Sequence, residues 1–314
     1  MTSEVRRAAE ILRAGGLVGF PTETVYGLGA DASSAAAVAR LYAAKGRPAD
    51  HPVIVHFADA EGAFAWAREV PEAARKLAAR FWPGPLTLIL KRAQQAGDFV
   101  TGGQDTVGLR VPSHPVAQAL LREFGGAIAA PSANRFGEVS ATTAAHVRKD
   151  LAKEADLVLE GGPSDIGIES TIVDLSGGKA VLLRPGHIGV ADLEAALGEK
   201  LAAKAADAPR HSGGLERHYA PRTPVQLVAP HELDAEIGTW HAKGSEVAVL
   251  AFSRPDERVD YWLRMPKAPA AYAQKLYAAL RELDSAACER ILIEAPPQDD
   301  SWAAVRDRLR RAAA

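Results

Sequence analysis

The sequence predicts an α/β protein of two domains, and three observations predict it. Its 314 residues exceed what one hydrophobic core usually organises. Apolar runs of strand length alternate with helix-length stretches through residues 1–200 and again beyond residue 224. Between them the periodicity lapses: residues 201–223 pass from alanine and charge into HSGGLERHYAPRTP, a composition that suits a linker. The expected organisation is a catalytic domain over 1–200, a linker over 201–223 and a small α/β domain over 224–314.

Composition narrows the function classes. A hydrophobic content of 47% suits a globular enzyme, and a net charge of −2 gives no global attraction to polyanions. Cys288 is the single cysteine, which excludes an internal disulfide framework and a cysteine-based zinc site and fits a reducing cytoplasm. The opening MTSEVRRAAEILRAGG is amphipathic and lacks an export signal's apolar stretch, and no window reaches membrane-spanning length, so a cytoplasmic protein is expected.

After that helix, Leu17 to Phe20 form an apolar strand that Pro21 stops by removing a backbone donor. The stretch that follows, FPTETVYGLGAD over residues 20–31, reads as a binding loop. Thr22, Glu23 and Thr24 fall where a strand ends, and Gly27 and Gly29 are expected to turn the backbone. Ser33 or Ser34 caps a helix over residues 35–44. Lys45 and Arg47 bracket Gly46 at its end, and Pro48 holds Arg47 out of helical geometry. Residues 52–57, PVIVHF, form a strand with His56 near its carboxyl end, where open α/β sheets bind ligands.

Residues 62–80 are helical with a break at Pro71, and the WPGP turn leads into a strand over residues 86–90. In the strand over residues 106–111, period-two alternation sets Val107, Leu109 and Val111 on one face and Thr106, Gly108 and Arg110 on the other. An arginine inside an apolar strand needs an anion, either a protein carboxylate or a ligand, and we read it as a ligand contact. A helix capped at Ser113 and a strand over residues 127–130 lead into PSANRFGEVSATT, a second polar loop carrying Ser132, Asn134 and Ser140. Strands near residues 157, 171 and 180 follow, with Ser170 and Arg184 at strand ends. In the last domain, strands are expected over residues 225–228, 247–251 and 290–293, with helices over 271–283 and 302–309.

Several chemistries are excluded or weak. No Walker A loop is present, because Gly178-Lys179 is followed by alanine and position 173 is valine. Gly27 to Ala32 matches a GxGxxA dinucleotide pattern, but polar residues separate it from the preceding strand and no acidic residue closes the next one, so we treat the match as accidental. The histidines show no HExxH spacing, so no protein-held catalytic metal is expected.

PTETVYGLGAD, KGRPxxHPVIVHF, WPGPLT, TVGLRVP, APSAN, ESTIVD and LRPG occur here in the order found in the YrdC-like threonylcarbamoyl-AMP synthases, which residues 8–189 resemble. HYAPRTP and the C-terminal region resemble the long, two-domain form. The resemblance implies a YrdC-like twisted mixed sheet with helices around a large concave cleft, plus a small Rossmann-like C-terminal domain. It also implies an enzyme that joins ATP, L-threonine and bicarbonate into threonylcarbamoyl-AMP and pyrophosphate, for a tRNA threonylcarbamoyltransferase system to use.

By the same resemblance, the KxR…SxN signature falls on Lys45, Arg47, Ser132 and Asn134 as catalytic residues. Thr24, His56, Arg110 and Ser170 would bind L-threonine. Arg47, His51, Thr106, Ser132, Ser140, Arg184 and Tyr219 would surround ATP, with magnesium carried on the nucleotide and Tyr219 in a linker that closes as a lid. Two positions depart from the family: His51 stands where asparagine is usual, and SGGLER replaces a stretch that often carries PGM and a basic residue. Direct tRNA binding is expected to be weak or absent. The competing readings are a non-enzymatic RNA-binding module and a carbamoyl-transfer domain of the same fold; the zinc-finger and acylphosphatase-like segments of hydrogenase maturation factors are absent here.

Overall fold

The apolar runs become strands because their β-branched and leucine side chains are buried on both faces, and the alanine-rich stretches become helices that cover them. A computed structural model describes residues 2–314. Residues 2–136, 141–165 and 169–214 form one unit, and residues 137–140, 166–168 and 215–314 form another. The stretch 201–223 is therefore divided at Gly214, its first part lying with the first unit and its remainder with the second.

The first unit is built on a nine-stranded mixed sheet. Its strands are β1 (Val18–Phe20), β2 (Gly27–Asp31), β3 (Ile54–His56), β4 (Leu86–Lys91), β5 (Thr106–Arg110), β6 (Ile128–Ala129), β7 (Leu157–Val158), β8 (Thr171–Asp174) and β9 (Val181–Arg184), in the order β7-β1-β2-β6-β3-β5-β4-β8-β9. Its helices are α1 (Thr2–Arg13), α2 (Ala35–Lys45), α3 (Ala60–Ala65), α4 (Glu72–Phe81), α5 (Asp98–Thr101), α6 (Pro115–Phe124), α7 (Ala144–Asp150) and α8 (Val190–Leu197). Helices α1 and α6 pack Val5, Leu12, Leu120 and Leu121 against Val18, Phe20 and Ile128. The larger core, with α2, α4 and α8, lies around Leu28, Val55, Leu88 and Leu109. Ile89, Ile172 and Leu183 form a separate small cluster, covered in part by Ala208 rather than by a helix.

Two local expectations are corrected. Gly27 and Gly29 do not turn the chain: they lie in β2, which pairs antiparallel with β1. A Cβ on Gly29 would stand 2.9 Å from both Ile128 Cγ2 and Phe20 Cε1, so glycine there makes room for the Phe20 ring. The cap of α6 is His114, whose side chain accepts from the Val116 N–H, and not Ser113. The cap of α2 is Ser34, and its C-cap Gly46 is left-handed at φ 63°.

The second unit holds a four-stranded, all-parallel sheet of β10 (Val225–Val228), β11 (Val247–Ala251), β12 (Tyr261–Arg264) and β13 (Arg290–Glu294) in the order β10-β13-β11-β12. Strand β12 and helix α9 (Leu233–Ala242) lack a clear sequence signal, since Tyr261 is exposed and α9 is interrupted by Gly238. Leu233 and Ile237 of α9 pack on Val247, Val249 and Leu292. Helices α10 (Pro269–Asp284) and α11 (Ala303–Ala312) complete the unit.

Candidate functional site

Register assembles the site. Strand β3 pairs in parallel with β5, setting His56 beside Arg110, and β5 pairs with β4, setting Arg110 beside Thr87. Thr87 is opposite Ile172 of β8, and Ile172 is opposite Arg184 of β9. Because paired residues share a face, one rung across five strands carries His56, Arg110, Thr87, Ile172 and Arg184. All five are buried. The adjacent positions Ile54, Gly108 and Ile89 on the same face line a small cavity of about 20 Å³ with Thr106 and the segment 210–212.

Hydrogen bonds tie the rung together. Thr87 and Ser170 share a hydroxyl–hydroxyl bond of 2.8 Å. Arg184 donates from Nε to the Ser170 carbonyl at 3.0 Å and from Nη2 to Ser170 Oγ at 3.1 Å. Its Nη1 donates to the Ser212 carbonyl at 3.0 Å. Arg47 reaches the same segment from the turn after α2: Nη2 donates to the Pro52 carbonyl at 2.6 Å, which also accepts from Ser212 Oγ at 3.0 Å. The rings of Tyr42 and Phe136 stand 5.7 and 5.5 Å from the Arg47 guanidinium. Two guanidiniums from separate elements thus converge on Ser212, whose hydroxyl and carbonyl supply the oxygens between them.

The remaining predicted residues fall into four groups. Lys45 donates to the backbone carbonyls of Ser132 and Asn134, so the KxR and SxN stretches do meet, but through main-chain oxygens. Thr24 is wholly buried in the loop after β1, its hydroxyl 2.8 Å from that of Thr22, which also donates to the Val25 carbonyl at 2.6 Å. His51 packs edge-on against Phe136 at 5.3 Å. Burial and the nearby Arg47 hold its pKa below the ordinary histidine value, so it is neutral at physiological pH and its pH response is displaced towards acid.

Ser140 and Tyr219 belong to the second unit. There Tyr219 is buried, left-handed at φ 59°, stacked on Tyr277 at 5.7 Å and covered by the Arg308 guanidinium at 5.2 Å.

Burial, reinforced by the Arg110 charge, pushes the His56 imidazole down to about 3, although the carbonyls of Ile128 and Ile54 oppose the shift. Its Nδ1 is buried without a hydrogen-bond partner, and Phe20 meets the ring edge-on at 6.2 Å. Arg110 is not left to a ligand alone: Nη2 donates to Glu23 Oε1 at 2.6 Å, so the anion the strand requires is in the first place a protein carboxylate. Sequence reasoning passed over Ser212, and it placed Glu23 in the binding loop without assigning it a role. Glu23 stood in view within PTET, but nothing local indicates that its partner is Arg110; Ser212 lay in a stretch read only as linker. Among the described residues, no group of three or more His, Cys, Asp or Glu side chains is placed to hold a metal ion.

Two family models divide the chain: one described as telomere recombination, for the Sua5/YciO/YrdC domain, matches residues 10–186. The other, described as the threonylcarbamoyl-AMP synthase C-terminal domain, matches residues 188–314. The chain belongs to the Sua5/YciO/YrdC family, in its long two-domain form. Among Sua5-type relatives, threonylcarbamoyl-AMP synthase of Pyrococcus abyssi is 39% identical over 320 residues, covering 98% of this chain and 94% of the relative. The Bacillus subtilis enzyme of the same name is 39% identical over 323 residues, covering 99% and 93%. The crystal structure of P. abyssi Sua5 complexed with L-threonine aligns at a TM-score of 0.94 and 38% identity, over 100% of this chain and 95% of that one. A Sua5-type fold with a twisted mixed sheet and a parallel C-terminal sheet is therefore established for this protein.

Proposed function

We infer that this protein is a threonylcarbamoyl-AMP synthase. It would join L-threonine, bicarbonate or carbon dioxide, and ATP, release pyrophosphate, and pass its product to a tRNA threonylcarbamoyltransferase system. The observation that carries the reading in the first unit is the convergence of Arg47 and Arg184 on Ser212, beside a rung that bears a third cation and a neutral imidazole. Two guanidiniums on one rung and a third that reaches Ser212 from the turn after α2 suit a ligand rich in anionic oxygen, and their planar forks suit carboxylate and phosphate.

The reaction class is nucleotidyl transfer, and it needs no protein nucleophile. The threonine nitrogen adds to the carbon of carbon dioxide and loses a proton, giving a carbamate. A carbamate oxygen then attacks the α-phosphorus of ATP, and the bond from that phosphorus to the bridging oxygen breaks, so pyrophosphate leaves. The protein's part is positioning and charge neutralisation. Arg47 and Arg184 would hold phosphate oxygens in the place the Ser212 oxygens take. Thr24, His56, Arg110 and Ser170 would hold threonine, with Arg110 on its carboxylate.

Lys45 would act chiefly by fixing the Ser132–Asn134 loop, since its ammonium is engaged by that loop's carbonyls. Thr106 and His51 would border the nucleotide. Ser140 and Tyr219 lie in the second unit, and the site proposed here is built from the first unit's residues. Magnesium would be delivered on the triphosphate, where it offsets phosphate charge; the donors of this face are guanidiniums, hydroxyls and an imidazole, which fit phosphate better than a cation. A cytoplasmic location fits the lone, buried Cys288, and no helix among the described residues is long and apolar enough to cross a membrane.

The test is pyrophosphate release from ATP with bicarbonate, comparing L-threonine, L-serine and no amino acid, with mass detection of the adenylate. Product that depends on threonine and bicarbonate is expected. ATP binding without product would overturn the reading.

A further inference from the structure

Glu23 is a buried carboxylate that meets the rung at Arg110, and both its oxygens are engaged. Oε1 accepts from Arg110 Nη2 at 2.6 Å, and Oε2 accepts from the Ser113 backbone N–H at 3.1 Å. Ser113 lies just past the end of β5, on which Arg110 stands, so one side chain ties the loop after β1 to both the guanidinium and the backbone beyond it. The two side chains are 7% and 5% exposed. A buried ion pair is not an efficient way to stabilise a fold, because desolvation offsets the attraction and an apolar pair of equal volume serves as well. The pair is better explained by what it does to Arg110.

We propose that Glu23 is a positioning residue for the amino-acid substrate: it holds the Arg110 guanidinium in one orientation, so that the substrate's carboxylate meets a preorganised fork. The inference rests on the reading of Arg110 as the partner of that carboxylate. Three features support it. The bond to Glu23 uses Nη2, while Arg110 Nε is buried with no hydrogen-bond partner, so the guanidinium retains N–H capacity for a second acceptor. An arginine side chain fixed before binding loses less rotamer freedom when the ligand arrives. Finally, the neighbouring His56 carries no charge at neutral pH, so the cation that Glu23 meets on the rung is Arg110.

The experiment compares L-threonine affinity by calorimetry, KM for threonine and KM for ATP in Arg110→Ala, Glu23→Gln and the wild type, with melting temperature as control. Glu23→Gln removes the charge and turns an NH2 donor towards one of the two donors that the carboxylate oxygens now serve. It is expected to weaken threonine binding about tenfold while leaving KM for ATP near its original value. In an Arg110→Lys background the same substitution is expected to change threonine affinity far less, because its effect passes through the guanidinium.

If Arg110→Ala leaves threonine binding intact, the assignment of Arg110 falls and the proposal with it. If Arg110→Ala abolishes binding while Glu23→Gln matches the wild type, only the role of Glu23 is overturned. Equal losses for threonine and ATP together with a lower melting temperature would make Glu23 structural and likewise overturn it. Should Glu23→Gln not fold, Glu23→Asp withdraws the charge by one methylene and is judged by the same split between the two KM values.

Discussion

At the scale of single residues, environment rather than identity sets the chemistry of this face. His56 is an ordinary imidazole moved into the interior beside a cation, and it is thereby held neutral, with its pKa pushed down to about 3. Between the ordinary value of 6.5 and that value, the unfolded chain takes up a proton that the folded chain refuses. Stability is consequently lost as pH falls through this window and is unaffected by this group above it. In urea titrations the wild type should lose more stability between about pH 7 and pH 5 than His56→Gln does. An equal loss in both would place the acid sensitivity elsewhere.

Arg47 gives the complementary case. Its guanidinium is packed between Tyr42 and Phe136 and donates to Pro52. Its proposed part in holding phosphate is worth more. Arg47→Ala should therefore lower kcat/KM about a hundredfold or more, with the melting temperature falling by a few degrees at most. Loss of folding on the same scale as loss of turnover would remove Arg47 from the site.

At the scale of elements, the loop after β1 is shorter and more deeply embedded than its sequence suggests. Hydroxyls and glycines between residues 20 and 31 look alike whether they turn the chain or line a strand, because both uses exploit a small or absent side chain. What separates them is the Phe20 ring, which lies across β2 and occupies the space that a Cβ on Gly29 would fill. Gly29→Ala should destabilise the first unit by about 1–3 kcal/mol, measured by chemical denaturation, because Phe20 and Ile128 must both shift. Gly125→Ala, where a Cβ meets no atom within 4 Å but φ is 71°, separates backbone strain from crowding in the same assay.

Many of the helices and strands were legible, though β2 reads as a loop and β12 and α9 give no signal: Ser34 and Gly46 bound α2, and the alternation in β5 separates Val107 and Leu109 from Arg110. The partner of Arg110 was not, because Glu23 lies in a different element and only the closure of the sheet brings them together.

At the scale of the whole molecule, charge decides between the enzyme and a nucleic-acid-binding protein. A net charge of −2 spread over 314 residues offers no polyelectrolyte attraction, so nucleic-acid affinity would have to come from a local patch. Binding of unmodified tRNA should be undetectable at about 0.15 M salt. Tight binding with a steep, linear dependence on the logarithm of salt concentration would favour the RNA-binding reading instead. The division into two units bears on the linker as well. Ser212 and His211 lie with the first unit and Tyr219 with the second, so the stretch 201–223 is anchored at both ends rather than being a free tether.

The sequence by itself determined the α/β class, the family, and which side chains have the chemistry for phosphate and carboxylate, because periodicity, caps and motifs are local properties that survive in a linear string. Only the tertiary structure decided which of those side chains meet. Strand register set His56, Arg110, Thr87 and Arg184 in one rung, and a long-range fold brought Glu23 to Arg110 and Ser212 to Arg47 and Arg184. A one-residue slip in any of those strands would turn its member of the rung to the other face, and nothing in the local sequence records that choice.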